Sequence, residues 1–249
     1  MNNSHLNLFF PQWQGEGQDL STYKGGMELK NHYLHNVPLS EVDISTRDIS
    51  TIRNNIVGYD DILKQLTLAK KLIIQKNPET IFTIGGGCDA DIPSISYLNN
   101  KMKNNMAVLY FDAHGDINSP ESSESKLFYG MPVKTLLGEG DEEIVKLLDS
   151  RLSFSQLIML GIRELDQAEK EFIEEHNISV IEVTDIEENI ELVLQELKAK
   201  GFENIYIHID LDVLNYDEFP HVSLPEPGGI KTNTFLEVLK TLYNEFQII

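Results

Sequence analysis

Five short, mostly apolar runs punctuate this chain: TIFTI at 80–84, MAVLYF at 106–111, LIMLGI at 157–162, ISVIEV at 178–183 and NIYIHI at 204–209. Runs of this length and near-continuous apolarity read as strands buried on both faces, the pattern of a parallel sheet covered by helices on either side. The intervening segments carry the helical period. In residues 60–76, Ile62, Leu66, Ala69 and Ile73 share one face. Residues 92–102 and 186–200 read as further helices. The alternation is β-α-β, so the fold class is α/β, with a mainly parallel central sheet flanked by helices. A 249-residue chain with 41% hydrophobic residues has enough apolar material for one large core, and a single domain spanning 1–249 is expected.

In folds of this class ligands sit beyond the carboxyl ends of the strands. Two charged clusters of this chain begin there: DAHGD at 112–116 and DLD at 210–212. In extended backbone, residues two apart point to one side. Asp112, His114 and Asp116 then project together, and Asp210 and Asp212 repeat the pattern, with His208 before them. Several carboxylates at the edge of an apolar sheet resist joint ionisation unless a cation neutralises them. Aspartates with an imidazole suit a hard or borderline divalent ion such as Mn²⁺, and the carboxylate count allows two. The competing reading makes each cluster a solvated loop or a helix cap. His208, inside a strand, reads first as a satisfied core group or as support for a ligand.

Charge narrows the partners. Forty acidic residues against twenty basic ones give a formal charge of −20, which disfavours nucleic acid and anionic membrane surfaces. No stretch approaches the roughly 20 apolar residues of a membrane span, and MNNSHLNLFFPQWQ lacks the layout of a secretory signal. The lone cysteine, Cys88, excludes an intrachain disulfide and makes a cytoplasmic setting the expectation. Cys88 lies in GGGCDAD, at the end of the first buried strand, where three roles stand open for it: metal ligand, packed thiol or nucleophile.

At these motifs the chain resembles the ureohydrolase family, which includes arginase, agmatinase and formimidoylglutamase. The resemblance runs through FPQWQG (10–15), GGGCDADIP (85–93) in the position of G-G-D-H-S, DAHGDIN (112–118), FYGMP (128–132), GIRELD (161–166), and IDLDVL (209–214) with PEPGG (225–229). It implies a three-layer α/β sandwich with a binuclear manganese centre, whose bridging hydroxide attacks a guanidino or amidino carbon and releases urea or a related amide. Carried over by position, Asp112 and Asp210 bridge the ions. Asp116 and the residue at Cys88 complete the first site, and His114 with Asp212 completes the second. Tyr129 falls at the acid–base position and is counted with Asp116 among the catalytic groups. Asn118, Ser123 and Ser125 fall where an α-carboxylate is held, and Asp166 and Glu169 where an α-ammonium is received. The family forms trimers and hexamers, so the resemblance implies a homo-oligomer.

The chain departs from the family at several of these positions. Cys88 replaces a histidine, and a thiolate tilts preference from Mn²⁺ toward Zn²⁺ or Fe²⁺. Gly87 replaces an aspartate, Tyr129 a histidine, Asn215 an aspartate and Leu224 a threonine. The final run, NEFQII, reads as a strand just begun. Either the remaining strand and helix follow beyond residue 249, or the chain lacks the contact they bring. These departures keep open a non-catalytic relative that binds metal or an arginine-like ligand. A weaker alternative, by fold analogy alone, is hydrolysis of an acylated amine.

Overall fold

The computed structural model describes residues 4–249, which form two compact units. The first unit combines the chain up to Lys101 with Asp116–Arg151; the second combines Met102–Gly115 with Leu152–Ile249.

In the first unit, strands β1 (His5–Phe10), β2 (Ser40–Glu41) and β3 (Thr80–Gly85) pair in the order β2-β1-β3, all parallel. Its helices are α1 (Ser21–Glu28), α2 (Tyr59–Lys76), α3 (Ile92–Lys101), α4 (Pro132–Leu136) and α5 (Glu142–Val145). The apolar stripe of α2 is buried as its spacing predicts: Ile62, Leu66, Ala69 and Ile73 are inaccessible or nearly so. Asp60 and Asp61 in its first turn complement the helix dipole. Asn77 ends it in the left-handed region, and Pro78 prevents its continuation. The glycine turn after β3 folds onto the segment that follows β1. Gly87 N–H donates to the Gln12 carbonyl at 3.0 Å, and a Cβ on Gly86 would overlap that same oxygen, so only glycine fits there.

In the second unit, β4 (Met106–Phe111), β5 (Leu157–Leu160), β6 (Ser179–Ile181), β7 (Asn204–Ile209) and β8 (Gln247–Ile248) form a sheet of order β6-β5-β4-β7-β8. Every pairing is again parallel. Helices α6 (Gln167–Glu175), α7 (Val183–Glu188), α8 (Glu191–Lys200) and α9 (Thr232–Glu245) complete it. Ala107, Leu109 and Phe111 pack on one face of β4 with Ile158, Leu160, Ile205 and the helical residues Val193, Leu197, Val238 and Leu242. Met106, Val108 and Tyr110, on the opposite face, are buried too. Central strands covered on both sides need apolar residues at every position, which is why MAVLYF shows no alternation.

Three features differ from expectation. The strands belong to two hydrogen-bonded sheets rather than one, and the first includes β1, whose apolar and polar residues mix. The helix read over 186–200 is two, α7 and α8, interrupted at Asn189, whose backbone is extended. Asn244 and Glu245 of the final run close α9, leaving only Gln247–Ile248 as strand. No helix among the described residues is long and apolar enough to cross a membrane.

Strand order positions the site. From β4 the chain proceeds through β5 and β6 toward one edge of the sheet, whereas β7 and β8 lie on the other side of β4. The order therefore reverses between β4 and β7, and such reversals open a crevice at the carboxyl ends of the two strands.

Candidate metal centre

The two acidic clusters leave the ends of β4 and β7 at that reversal. Asp210 N–H donates to the Phe111 carbonyl at 2.8 Å, continuing the β4–β7 pairing one step beyond the strands. Asp210 then caps a 3-10 turn, Leu211–Val213, and its Oδ1 accepts from the Asp212 N–H at 2.8 Å. On the β4 side, Asp112 Oδ1 accepts from the His114 N–H at 2.7 Å. The clusters meet where Asp212 Oδ1 accepts from the Ala113 N–H at 2.9 Å and Asp212 Oδ2 lies 2.9 Å from His114 Nδ1. His114 Nδ1 also stands 3.5 Å from Asp112 Oδ1. Asp112, His114 and Asp212 each offer a ligand atom within 4.8 Å of the others.

Burial gives this group its electrostatic character. Asp112 is 1% exposed and Asp212 5%. Burial, followed by the charges of Asp210 and Asp212, holds the Asp112 carboxyl well above the ordinary carboxylate range. Burial opposes the charge on His114, but hydrogen bonds to Asp112 and Asp212 outweigh it and raise the imidazole to about 11. Asp212 moves the other way: burial raises it, and its bonds to His114 and Ala113 bring it below the ordinary value. In the metal-free chain both shifts favour the protonated forms of Asp112 and His114, which offset the carboxylate charge. A divalent cation supplies the same neutralisation with its own charge, so the donor set of buried carboxylates and one imidazole fits such an ion.

His208, on β7, is 4% exposed and stacks on Tyr110 with ring centroids 3.9 Å apart and planes 6° from parallel. Its Nε2 lies 3.8 Å from Asp112 Oδ2. Asp112 and His208 thus each offer a ligand atom close to the other.

Asp116 departs from the extended geometry expected of DAHGD. Its φ of 50° turns the backbone into the left-handed region, so the two-residue alternation holds for Asp112 and His114 and stops there. Asp116 belongs to the first unit, where its carbonyl accepts from the Val133 N–H at 3.0 Å. Cys88 is also in the first unit, half-buried at the start of the 3-10 turn Cys88–Asp91 after β3. Tyr129 is half-buried in the 3-10 turn Phe128–Gly130 of that unit.

The expected substrate positions have local duties. Asn118 Oδ1 accepts from the Ser122 hydroxyl at 2.8 Å, Ser123 Oγ accepts from the Lys126 N–H at 3.1 Å, and Ser123 and Ser125 Oγ lie 3.3 Å apart. Asp166 and Glu169 form a capping box at the start of α6, with Glu169 Oε2 accepting from the Asp166 N–H at 2.9 Å. Spacing showed that capping signature, D-x-x-E before a helix, as clearly as it showed a ligand position. Glu169 nevertheless borders the acidic cluster, since a Cβ on Gly115 would sit 3.1 Å from its Oε1.

The sequence reading missed Arg163, which meets four backbone carbonyls around the centre. A basic residue just beyond the end of β5, in GIRELD, was the available signal.

Comparison with known proteins bears on the family and the fold. A sequence model described as the arginase family matches residues 20–249. An arginase of Staphylococcus aureus is 31% identical over 201 residues, covering 78% of this chain and 66% of the relative. The chain spans about two thirds of the length of that relative. Among solved structures, Entamoeba histolytica arginase in complex with L-ornithine superposes with a TM-score of 0.88 at 19% identity, covering 99% of this chain and 89% of that one. Formimidoylglutamase from Bacillus subtilis gives 0.69 at 21% identity, covering 99% and 78%. The fold is the three-layer α/β fold of those structures. Together with the family match over nearly all of its length, this makes the chain a member of the arginase family.

Proposed function

We propose that the chain is a metal-dependent hydrolase that cleaves a C–N bond in a guanidino or amidino compound and releases urea or a related amide. The observation that carries this reading is the meeting of Asp112, His114 and Asp212 at the strand-order reversal, in a buried setting that raises both Asp112 and His114 when no cation is bound. Asp112, His114, Asp210 and Asp212 would hold the metal. Asp116 and Cys88 are assigned to metal binding from motif order along the chain. Mn²⁺ is the ion we expect, as a pair, with Zn²⁺ or Fe²⁺ as the substitutes a thiolate would favour. When bound, divalent cations lower the pKa of a shared water and so supply a nucleophile near neutral pH.

The chain's own residues supply the remaining parts. His208 is assigned to supporting Asp112, and the stack on Tyr110 fixes its ring. Tyr129 is assigned to the leaving-group side from its motif position, and its phenol can donate a hydrogen bond there. With an unperturbed pKa near 10, a phenol moves a proton less readily at pH 7 than an imidazole does. Asn118, Ser123 and Ser125 are assigned to a substrate carboxylate, and Asp166 with Glu169 to its ammonium group. The single cysteine and the family resemblance support a cytoplasmic homo-oligomer, a trimer or hexamer.

A second reading, a non-catalytic relative that binds metal or an arginine-like ligand, is favoured by Tyr129 at the acid–base position and by the capping duties of Asp166 and Glu169. One experiment separates the two. The purified chain is reconstituted with Mn²⁺, its metal content is measured, and release of urea from arginine and agmatine, or of formamide from formimidoylglutamate, is followed. Bound metal with turnover of one of these compounds is the expected result. Bound metal without turnover of any of them supports the second reading, and no bound metal overturns the first.

A further inference from the structure

Arg163 follows β5, and its guanidinium donates to four carbonyl oxygens of the second unit. Nε reaches Pro227 O at 2.9 Å, Nη1 reaches Gly161 O at 3.1 Å, and Nη2 reaches Asp212 O at 2.6 Å and Glu226 O at 2.9 Å. Its backbone N–H donates to Ala113 O at 2.8 Å. Ala113 N–H in turn donates to Asp212 Oδ1 at 2.9 Å.

These bonds close a ring through three strand ends: Arg163 to Ala113 after β4, Ala113 to Asp212 after β7, and Asp212 back to Arg163 after β5. Within the ring Asp212 is held at two points, its main-chain carbonyl by Arg163 and its carboxylate by Ala113. The same guanidinium reaches across to Glu226 and Pro227, where the long segment 215–229 returns, so Asp212 and the far end of that loop share one donor. A planar fork with five N–H groups can serve four separated acceptors, whereas an ammonium group offers three donors from a single point.

We infer that Arg163 is a positioning residue for the metal centre: it fixes the backbone of Asp212, and through it the carboxylate that Asp212 turns toward Asp112 and His114. The inference rests on the reading of that cluster as a metal site, and extends it to a residue that touches none of the reacting atoms.

Calorimetric titration of metal-free protein with Mn²⁺ tests it, comparing wild type, Arg163→Ala and Arg163→Lys. Arg163→Ala is expected to bind Mn²⁺ roughly 10- to 100-fold more weakly, the range typical of groups that orient metal ligands, with Arg163→Lys in between. Millimolar guanidinium chloride, set against sodium chloride at equal ionic strength, is expected to restore binding to Arg163→Ala, because the free ion can occupy the vacated fork. General loosening of the fold would show no such rescue. Unchanged affinity in Arg163→Ala overturns the inference, as does a loss that guanidinium leaves in place. If the alanine chain does not fold, wild-type affinity in Arg163→Lys overturns it. A wild-type chain that binds no Mn²⁺ overturns the reading of the site as well, which separates the two failures.

Discussion

Asp89 shows what an acidic group costs when nothing neutralises it. Its side chain is inaccessible, neither carboxyl oxygen meets a donor on another residue, and burial raises it to about 7. It is wedged between two glycines: a Cβ on Gly15 or on Gly87 would sit 2.8 Å from its Oδ1. A carboxyl whose folded pKa is raised binds more protons in the folded chain than in the unfolded one. Its burial is therefore tolerated at acid pH and becomes destabilising as pH rises from the ordinary carboxylate value through about 7. In the presence of a chelator, Asp89→Asn is expected to stabilise the chain at pH 8 by roughly 2–4 kcal/mol, converting the raised pKa at 1.36 kcal/mol per unit. The gain should vanish near pH 4. Thermal unfolding midpoints against pH check this, and parallel curves for the two proteins would contradict it. In Asp212 the same cost is met by His114, whose Nδ1 lies 2.9 Å from its carboxylate and whose bonds bring it below the ordinary range.

At the scale of elements, β5 reaches the site through a glycine that cannot be exchanged cheaply. Gly161 has a φ of 85°, and a Cβ there would lie 2.7 Å from Val213 Cγ2, in the turn that carries Asp212. Gly161→Ala combines left-handed strain with that overlap and is expected to destabilise by about 1–3 kcal/mol. Chemical denaturation measures it, and an unchanged midpoint would show that the 211–213 turn shifts freely. Elements with a strong pattern were legible in the sequence. The helix at 59–76 and the strands at 80–85, 106–111, 157–160 and 204–209 all follow from apolar period or continuity. β1 was not, because Asn7 interrupts its apolar residues and only pairing with β3 marks HLNLFF as strand. The break at Asn189 was equally hidden, since the helical period resumes at once in α8. At the candidate site, chain order singled out Asp112, His114 and Asp212, whose ligand atoms the fold brings within 4.8 Å of one another. The turn at Asp116 and the ring through Arg163 depend on backbone paths that spacing does not encode.

Across the whole molecule, a parallel sheet brings two acidic turns to the point where strand order reverses, and family membership gives that meeting a chemical context. On the proposed reading, the group around Asp112 holds divalent metal in place of protons. Ligands must shed their protons to bind a cation, so uptake should release protons from Asp112 and His114, both of which hold theirs above the ordinary range. The direct measurement is Mn²⁺ binding to the metal-free chain at pH 7.5 in two buffers of different ionisation enthalpy, for wild type and Asp112→Asn. Tight binding by wild type with proton release, weakened by at least tenfold in Asp112→Asn, is the predicted result. Binding without proton release, or equal affinity in the two proteins, would contradict it.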